Sequence, residues 1–371
     1  MSEERLRRAA GALERSVAEV DVMDRLQALG RRRQRQQTTT VVVAVLVAVA
    51  VFGGAVLGVR ALRATDPVAG PPPSAPQGPA RVVATIPVTT RPVAVAIGAG
   101  AVWVASVNPT WVYRIDPVTD DRQSIAVPPA PARLAVTQDA VWVLCPDDRS
   151  VSRIDAASRE LVATVPVGRS PSGLAVGAGA VWVSSRTDGT VTRIDPATNE
   201  VVATIPVGRA PGAVTVAGGA VWVALPERGG LARIDPASNR STVVPVARCC
   251  DGELAAGERA LWVTNALDGT LVRVDPVTRR VMARVLLPRT TDQRPHQVAV
   301  GEGAVWVTSA SARKATANLL WRVDPASNQV SGTTDLGPSP ATGVPNSVGA
   351  GYGSVWVAGA DADSALRLQP R

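Results

Sequence analysis

The tryptophans constrain this chain more than any other feature. Seven of the nine, Trp103, Trp142, Trp182, Trp222, Trp262, Trp306 and Trp356, occupy one place in a recurring text; the first five are spaced 39 or 40 residues apart, and the last two intervals are 44 and 50. The copies are close: VWVSSRTDGTVTRIDPATNEVVATIPVG, residues 181–208, is followed one unit later by VWVALPERGGLARIDPASNR. Each unit divides into four short runs, read in the third copy as strand A (GLAVG), strand B (AVWVSS), strand C (TVTRID) and strand D (VVATIPVG). A period near 40 residues, with four strands and no helical segment between them, is the text of a propeller blade.

The two ends of the repeat region settle how the blades are arranged. It begins with RVVATIPV, a strand D without its blade, and ends with SALRLQPR, a strand C without its strand D. Pairing the first strand with the last blade closes the ring and removes two exposed sheet edges. The expected fold is therefore all-β, a seven-bladed β-propeller of four-stranded blades over residues 81–371. Strand A is written in small residues (LAVGAG, VTVAGG) because it lines the narrow axis, whereas the Trp of strand B fills the wider space between sheets. Runs such as VWV, apolar at every position, fit a strand covered on both faces.

Upstream, residues 41–59 form an uncharged apolar run, VVVAVLVAVAVFGGAVLGV, long enough as a helix to cover nearly a whole hydrocarbon core. A transmembrane helix over residues 38–60 is expected. Arg31, Arg32, Arg33 and Arg35 precede it while only Arg60 and Arg63 follow closely, which places the N-terminus in the cytoplasm and the bulk of the chain outside. A segment of 40 residues ahead of the apolar run is long for a cleaved signal peptide, so an uncleaved, single-pass anchor in the cell membrane is favoured. Residues 1–37 read as a basic, amphipathic cytoplasmic segment and residues 61–80 as a Pro-rich linker. The net charge of +8 divides into +3 over residues 1–40, +1 over residues 41–80 and +4 over the remainder, where basic and acidic residues are interspersed. No stretch has the footprint of a nucleic-acid-binding protein, and none is expected as a partner.

Most recurrent polar residues read as construction. Asp116, Asp155, Asp195, Asp235, Asp275 and Asp324 fall at one point of six units, at the hairpin from C to D, where a carboxylate can accept backbone N–H bonds. Arg114, Arg153, Arg193, Arg233, Arg273 and Arg322 lie two residues earlier on the same strand face, in position to pair with those carboxylates. A functional site is expected where the copy fails, on the face carrying the D to A and B to C loops. Arg169 and Arg209 stand in register there and Arg248 lies close to the equivalent place, either a basic collar suited to an anionic ligand or, the favoured reading, solvated loop arginines offset by Asp147, Asp148, Asp188, Glu227 and Asp268 of the B to C loops. Blade 5 replaces GRAPGAV with ARCCDGEL, which brings Cys249, Cys250, Asp251 and Glu253 to its strand A entrance; blade 6 has RPHQVAV, with the only histidine, His296. Asn346 completes the candidate ligand-binding set. Thiolate and imidazole suit a divalent metal such as zinc, yet the adjacent cysteines lack the usual CxxC spacing, and a vicinal disulfide between Cys249 and Cys250 or two exposed thiols are the competing readings.

The repeat VWVSSRTDGTVTRIDPATNEVVATIPVGRAPGAV resembles that of the YVTN-type propeller proteins, a group similar in pattern to virginiamycin B lyase-like and NHL propellers. The resemblance covers residues 82–371 and implies the propeller fold. PHQVAV in blade 6 is similar to the Pro-His strand entrance of lyase-like members, which implies metal-assisted chemistry needing more than one histidine; this chain has one. The expected function is a non-catalytic module that binds a small molecule, a cell-envelope component or a protein at one channel mouth, with no cofactor. The opposing reading is a metal-assisted lyase or hydrolase using His296 with Glu253 or Asp251.

Overall fold

A strand whose every side chain is apolar has to be covered from both sides, and strand B meets that demand in each repeat. The computed structural model describes residues 78–88, 91–246, 252–288, 293–311, 317–338, 347–359 and 363–371. The expected cytoplasmic segment, the membrane helix and nearly all of the Pro-rich linker lie outside these residues, as do Arg248, Cys249, Cys250, Asp251 and Asn346. Among the described residues no helix is long and apolar enough to cross a membrane.

The chain forms seven four-stranded antiparallel sheets. Six are built from consecutive strands; in blade 3 these are strand A (Pro171–Gly177), strand B (Ala180–Ser185), strand C (Thr190–Asp195) and strand D (Glu200–Pro206). The seventh joins strands A to C from the end of the chain (Ser347–Gly351, Ser354–Ala358 and Ser364–Gln369) to Arg81–Pro87, which pairs antiparallel with the last strand from Arg81↔Gln369 to Pro87↔Ser364. Inner strands pack side by side around the whole circle, and strand A of blade 7 meets strand A of blade 1 (Pro92–Gly98). The ring expected from the sequence is thus closed, and the first strand closes it.

The hydrophobic core lies between blades. Seven clusters of buried apolar side chains occur among the described residues, one in each gap between adjacent sheets. Every strand B tryptophan is 0 % exposed and sits in the gap toward the next blade. Small residues keep the inner strands close: a Cβ on Gly351, at the end of strand A in blade 7, would lie 2.8 Å from Ile97 Cγ2 of blade 1. By contrast, strand D is an outer edge, where valines such as Val201 and Val202 remain exposed.

The recurrent Asp and Arg act on two different scales. Each Asp closes its own turn: Asp155 Oδ1 accepts from Ala157 N (3.0 Å) and Ser158 N (2.7 Å), and Asp235 Oδ1 from Ala237 N (2.8 Å) and Ser238 N (3.1 Å). Backbone N–H bonds hold the carboxyls of Asp116, Asp155, Asp235, Asp275 and Asp324 below the usual range. The Arg residues do not take the pairing expected of them. Arg193 pairs across the strands with Trp182, lies over its ring at 5.2 Å, and donates from Nη1 to Pro236 O (2.7 Å) and Asn239 Oδ1 (3.0 Å) in the next blade's C to D turn. Arg273 repeats this with Trp262, Pro325 and Asn328, and Arg367 reaches from blade 7 to Pro117 O of blade 1. The physical reason is direction: Arg and Trp share the sheet face that meets the following blade, whereas the Asp carboxylate is already turned into its own hairpin. Arg322 shows the rule by exception. Blade 7 has no C to D turn, and Arg322 Nη1 donates instead to Ser331 Oγ within its own blade (3.3 Å).

Two outcomes follow for stability. Gly351→Ala is expected to destabilise the propeller by about 1–3 kcal/mol through overpacking against Ile97, and the loss in melting temperature should shrink in an Ile97→Ala background. The turn carboxyls, with folded pKa values below the unfolded value of about 4, give stabilisation that is complete above that value and lost as pH falls through the folded ones. Melting temperature should hold level above about pH 5 and decline between about pH 4 and pH 2; a triple Asp155→Asn, Asp235→Asn, Asp275→Asn variant, which keeps the acceptors and removes three titrations, should decline less steeply.

Candidate functional site

Antiparallel blades place the D to A and B to C loops on one face and the A to B and C to D turns on the other. On the first face, strand A opens with a β-bulge in blades 1, 3 and 6, shifting register between Pro92 and Ala94, between Pro171 and Gly173, and between Pro295 and Val298. A bulge bends a strand and redirects a side chain. The redirected residues include Val93, Ser172 and His296, and together with Ala132 they line a cleft of about 430 Å³ at the channel mouth. These residues share one register, ten positions before the Trp of their blades; Gly212, Gly252 and Asn346 hold the same place in blades 4, 5 and 7. Among the described members of this ring, Ser172 and His296 carry polar side chains.

The next register position, nine before each Trp, reads Ala94, Arg133, Gly173, Ala213, Glu253, Gln297 and Ser347. The three largest polar members meet. Arg133 of blade 2 makes a direct ion pair through Nη2 with Glu253 Oε1 of blade 5, while its Nη1 donates to Gln297 Oε1 of blade 6 (3.4 Å). The paired side chains are 30 % and 20 % exposed, so each charge is partly desolvated and depends on the other. Thr264, buried in strand B of blade 5 (Ala260–Asn265), fixes the neighbourhood: its Oγ1 accepts from Glu253 N (2.8 Å) and donates to His296 O (3.0 Å). Ser184 repeats the device in blade 3, accepting from Gly173 N (2.8 Å) and donating to Gly212 O (2.6 Å). A scaffold hydroxyl thus sets the mouth backbone, and the residues carried on it differ from blade to blade.

Of the candidates named from sequence, His296 lies at the mouth, half-buried among Arg133, Gln297 and Ser172. Glu253 lies beside it but is held by Arg133. Arg169 and Arg209 stand on the expected face, and each is engaged by an acid of its own blade: Arg169 Nε contacts Asp188 Oδ1 at 2.7 Å, and Arg209 Nε contacts Glu227 Oε2 at 3.4 Å. The backbone N–H of Arg169, and then its side chain, hold the Asp188 carboxyl below the usual range. Cys145 is the last residue of strand B in blade 2 (Ala140–Cys145), fully buried and without a disulfide, and burial pushes its thiol up to about 12. Among the described residues no group of three or more His, Cys, Asp or Glu is suited to a metal ion. Glu253, one of the two carboxylates expected to serve with His296, is committed to the Arg133 guanidinium, so among the described residues it is not a free ligand for a divalent cation.

Arg133 and Ser172 escape a reading that looks only for broken motifs, since ARLAV and PSGLAV scan as ordinary strand entrances, and Gln297 stands within the broken RPHQVAV but beside the more conspicuous His296. Counting back from each Trp would have found them. Replacing Arg133 by Ala leaves Glu253 unpaired, with an expected cost of about 1–2 kcal/mol. A double-mutant cycle with Glu253→Ala, read by chemical denaturation, should return a favourable coupling of about 1 kcal/mol; a coupling near zero would show that the bridge is energetically inert.

No family model matches the chain, and no curated protein matches it. Solved structures do. Virginiamycin B lyase from Staphylococcus aureus superposes with a TM-score of 0.65 at 16% identity, over 77% of this chain and 98% of that one. A streptogramin B lyase gives 0.63 at 15% identity, over 78% and 97%. The WD40 repeats of RRP9 give 0.63 at 16% identity, over 79% and 99%. At these identities the likeness is one of fold: the chain is a seven-bladed β-propeller similar in architecture to the virginiamycin B lyase-like propellers and to WD40 repeats.

Proposed function

We propose that the protein is a membrane-anchored, extracytoplasmic binding module that takes a small molecule, a cell-envelope component or a protein at the D to A mouth of its propeller, without catalysis of its own. The observation that carries this reading is the convergence of Arg133, Glu253 and Gln297 from three blades beneath a cleft that also holds His296. A repeat that needs only to build blades has no use for three different polar side chains at a position occupied elsewhere by Ala, Gly or Ser. A cleft of about 430 Å³ is of the size that encloses small ligands or one protruding side chain of a partner. The first strand of the propeller starts at Arg81, on the face opposite the mouth.

The second reading is a metal-assisted lyase or hydrolase, favoured by the position of His296 in a fold shared with two lyases that, by their names, act on virginiamycin B and streptogramin B. The ion pair that occupies Glu253 favours binding over it. Thermal-shift screening of the full-length chain against envelope fractions and small molecules separates the two. A ligand present at about 100 times its Kd should stabilise the protein by about 2.7 kcal/mol, and the gain should be lost in His296→Ala and Arg133→Ala. Stoichiometric metal in the purified chain, lost in His296→Ala, would overturn the binding reading in favour of the lyase.

A further inference from the structure

Beside the mouth, between blades 2 and 3, lies a second cleft of about 640 Å³ whose lining includes Arg149, Arg169, Arg186, Ser170 and Thr187. Its blade 2 turn differs from the turns of the three blades that follow. Arg149 stands seven residues after its Trp, where blades 3, 4 and 5 have Gly189, Gly229 and Gly269. All four are left-handed, with φ of 50° for Arg149 and 70°, 60° and 76° for the glycines. An arginine in that conformation carries backbone strain that glycine avoids, so the turn itself does not ask for it.

The three arginines come from three loops. Arg149 and Arg186 lie in the B to C turns of blades 2 and 3, and among the described residues no hydrogen bond or ion pair engages either guanidinium. Arg169 is held by Asp188, which takes the backbone N–H on Oδ2 (2.7 Å) and Nε on Oδ1 (2.7 Å), and its two terminal nitrogens stay available. Gly168 permits this grip, because a Cβ there would lie 2.7 Å from Asp188 Oδ2. Thr187 Oγ1 donates to Ser170 Oγ (2.8 Å), leaving the Ser170 proton to donate into the cleft, and Arg186 N donates to Ser170 O (3.0 Å), fixing one loop on the other. Asp147 is the carboxylate of the lining, and Asp188, bonded to Arg169 and acting on Arg149, is a second acid beside it, so three cations are set against two carboxylates. One guanidinium fork saturates the two oxygens of a carboxylate. Three forks and a hydroxyl approaching from separate loops suit an acceptor with oxygens on several sides.

We propose that this cleft is a binding site for a tetrahedral oxyanion, phosphate or sulfate, carried by a larger ligand. The volume exceeds that of a bare ion, and the shared wall of Pro146, Asp147, Pro171 and Ser172 lets such a ligand extend toward the mouth. Recognition here stands independently of what the mouth binds. The test is calorimetric titration of the full-length chain, at low salt because surface charge is screened, with inorganic pyrophosphate, inorganic sulfate and malonate as the carboxylate control. Saturable binding of pyrophosphate or sulfate is expected, with the tighter of the two naming the source of the oxyanion and malonate weaker by about tenfold or more. Arg149→Gly combined with Arg186→Ala should weaken binding by at least about tenfold, while Arg149→Gly alone melts no lower than the parent because glycine suits the turn. His296→Ala, which addresses the mouth, should leave the oxyanion affinity in place. No saturation by about 10 mM, unchanged affinity in the double variant, malonate binding as tightly, or loss of binding in His296→Ala would each overturn the proposal.

Discussion

Seven sheets can surround one axis without a free edge only if the last of them finds its fourth strand at the start of the repeat region. Everything else in the molecule depends on that pairing of Arg81–Pro87 with Ser364–Gln369. It brings Ile97 against Gly351, sends Arg367 of the last blade to the first blade's turn, and fixes the diameter that Arg133 has to span to reach Glu253. Long-range closure of this kind carries a large loop entropy, which grows only slowly with length and is recovered through contacts along the whole ring.

The repeat is best understood as two superposed instructions. One is local: Asp folds its own hairpin through backbone N–H bonds two and three residues on. The other links neighbours, as the strand B Trp fills the gap to the next sheet and the strand C Arg lies over that Trp and donates to the next turn. The Arg and the Asp of RIDP therefore serve different contacts. Their closeness on one strand face is what makes an Arg to Asp pair look natural from sequence, and the turning of the Asp carboxylate into its own hairpin is what prevents it.

Against so uniform a scaffold, a departure has to be weighed by what it costs. Arg149 replaces a turn glycine and takes on backbone strain, while Arg133 and Glu253 place charges in a half-buried position where small neutral residues suffice elsewhere. Neither choice improves the blade that carries it. Both lie on the loop face, and the scaffold hydroxyls of Ser184 and Thr264 hold the strand entrances there in place, so recognition chemistry can vary without disturbing the fold.

Much of this was legible before any coordinates. The Trp spacing determined the number of blades, TVTRID and AVWVSS marked strands to the residue, and the split blade at the two ends announced closure. His296 was visible because it is unique, and Arg169 because it stands in register. The meeting of Arg133 with Glu253 and Gln297 was not, since the partners are 120 and 164 residues apart and belong to no shared motif. Sequence alone determined the blade, because each blade is made by contacts within one repeat and with the next. Only the tertiary structure decided the site, because which side chains face each other across the axis depends on the size and closure of the ring.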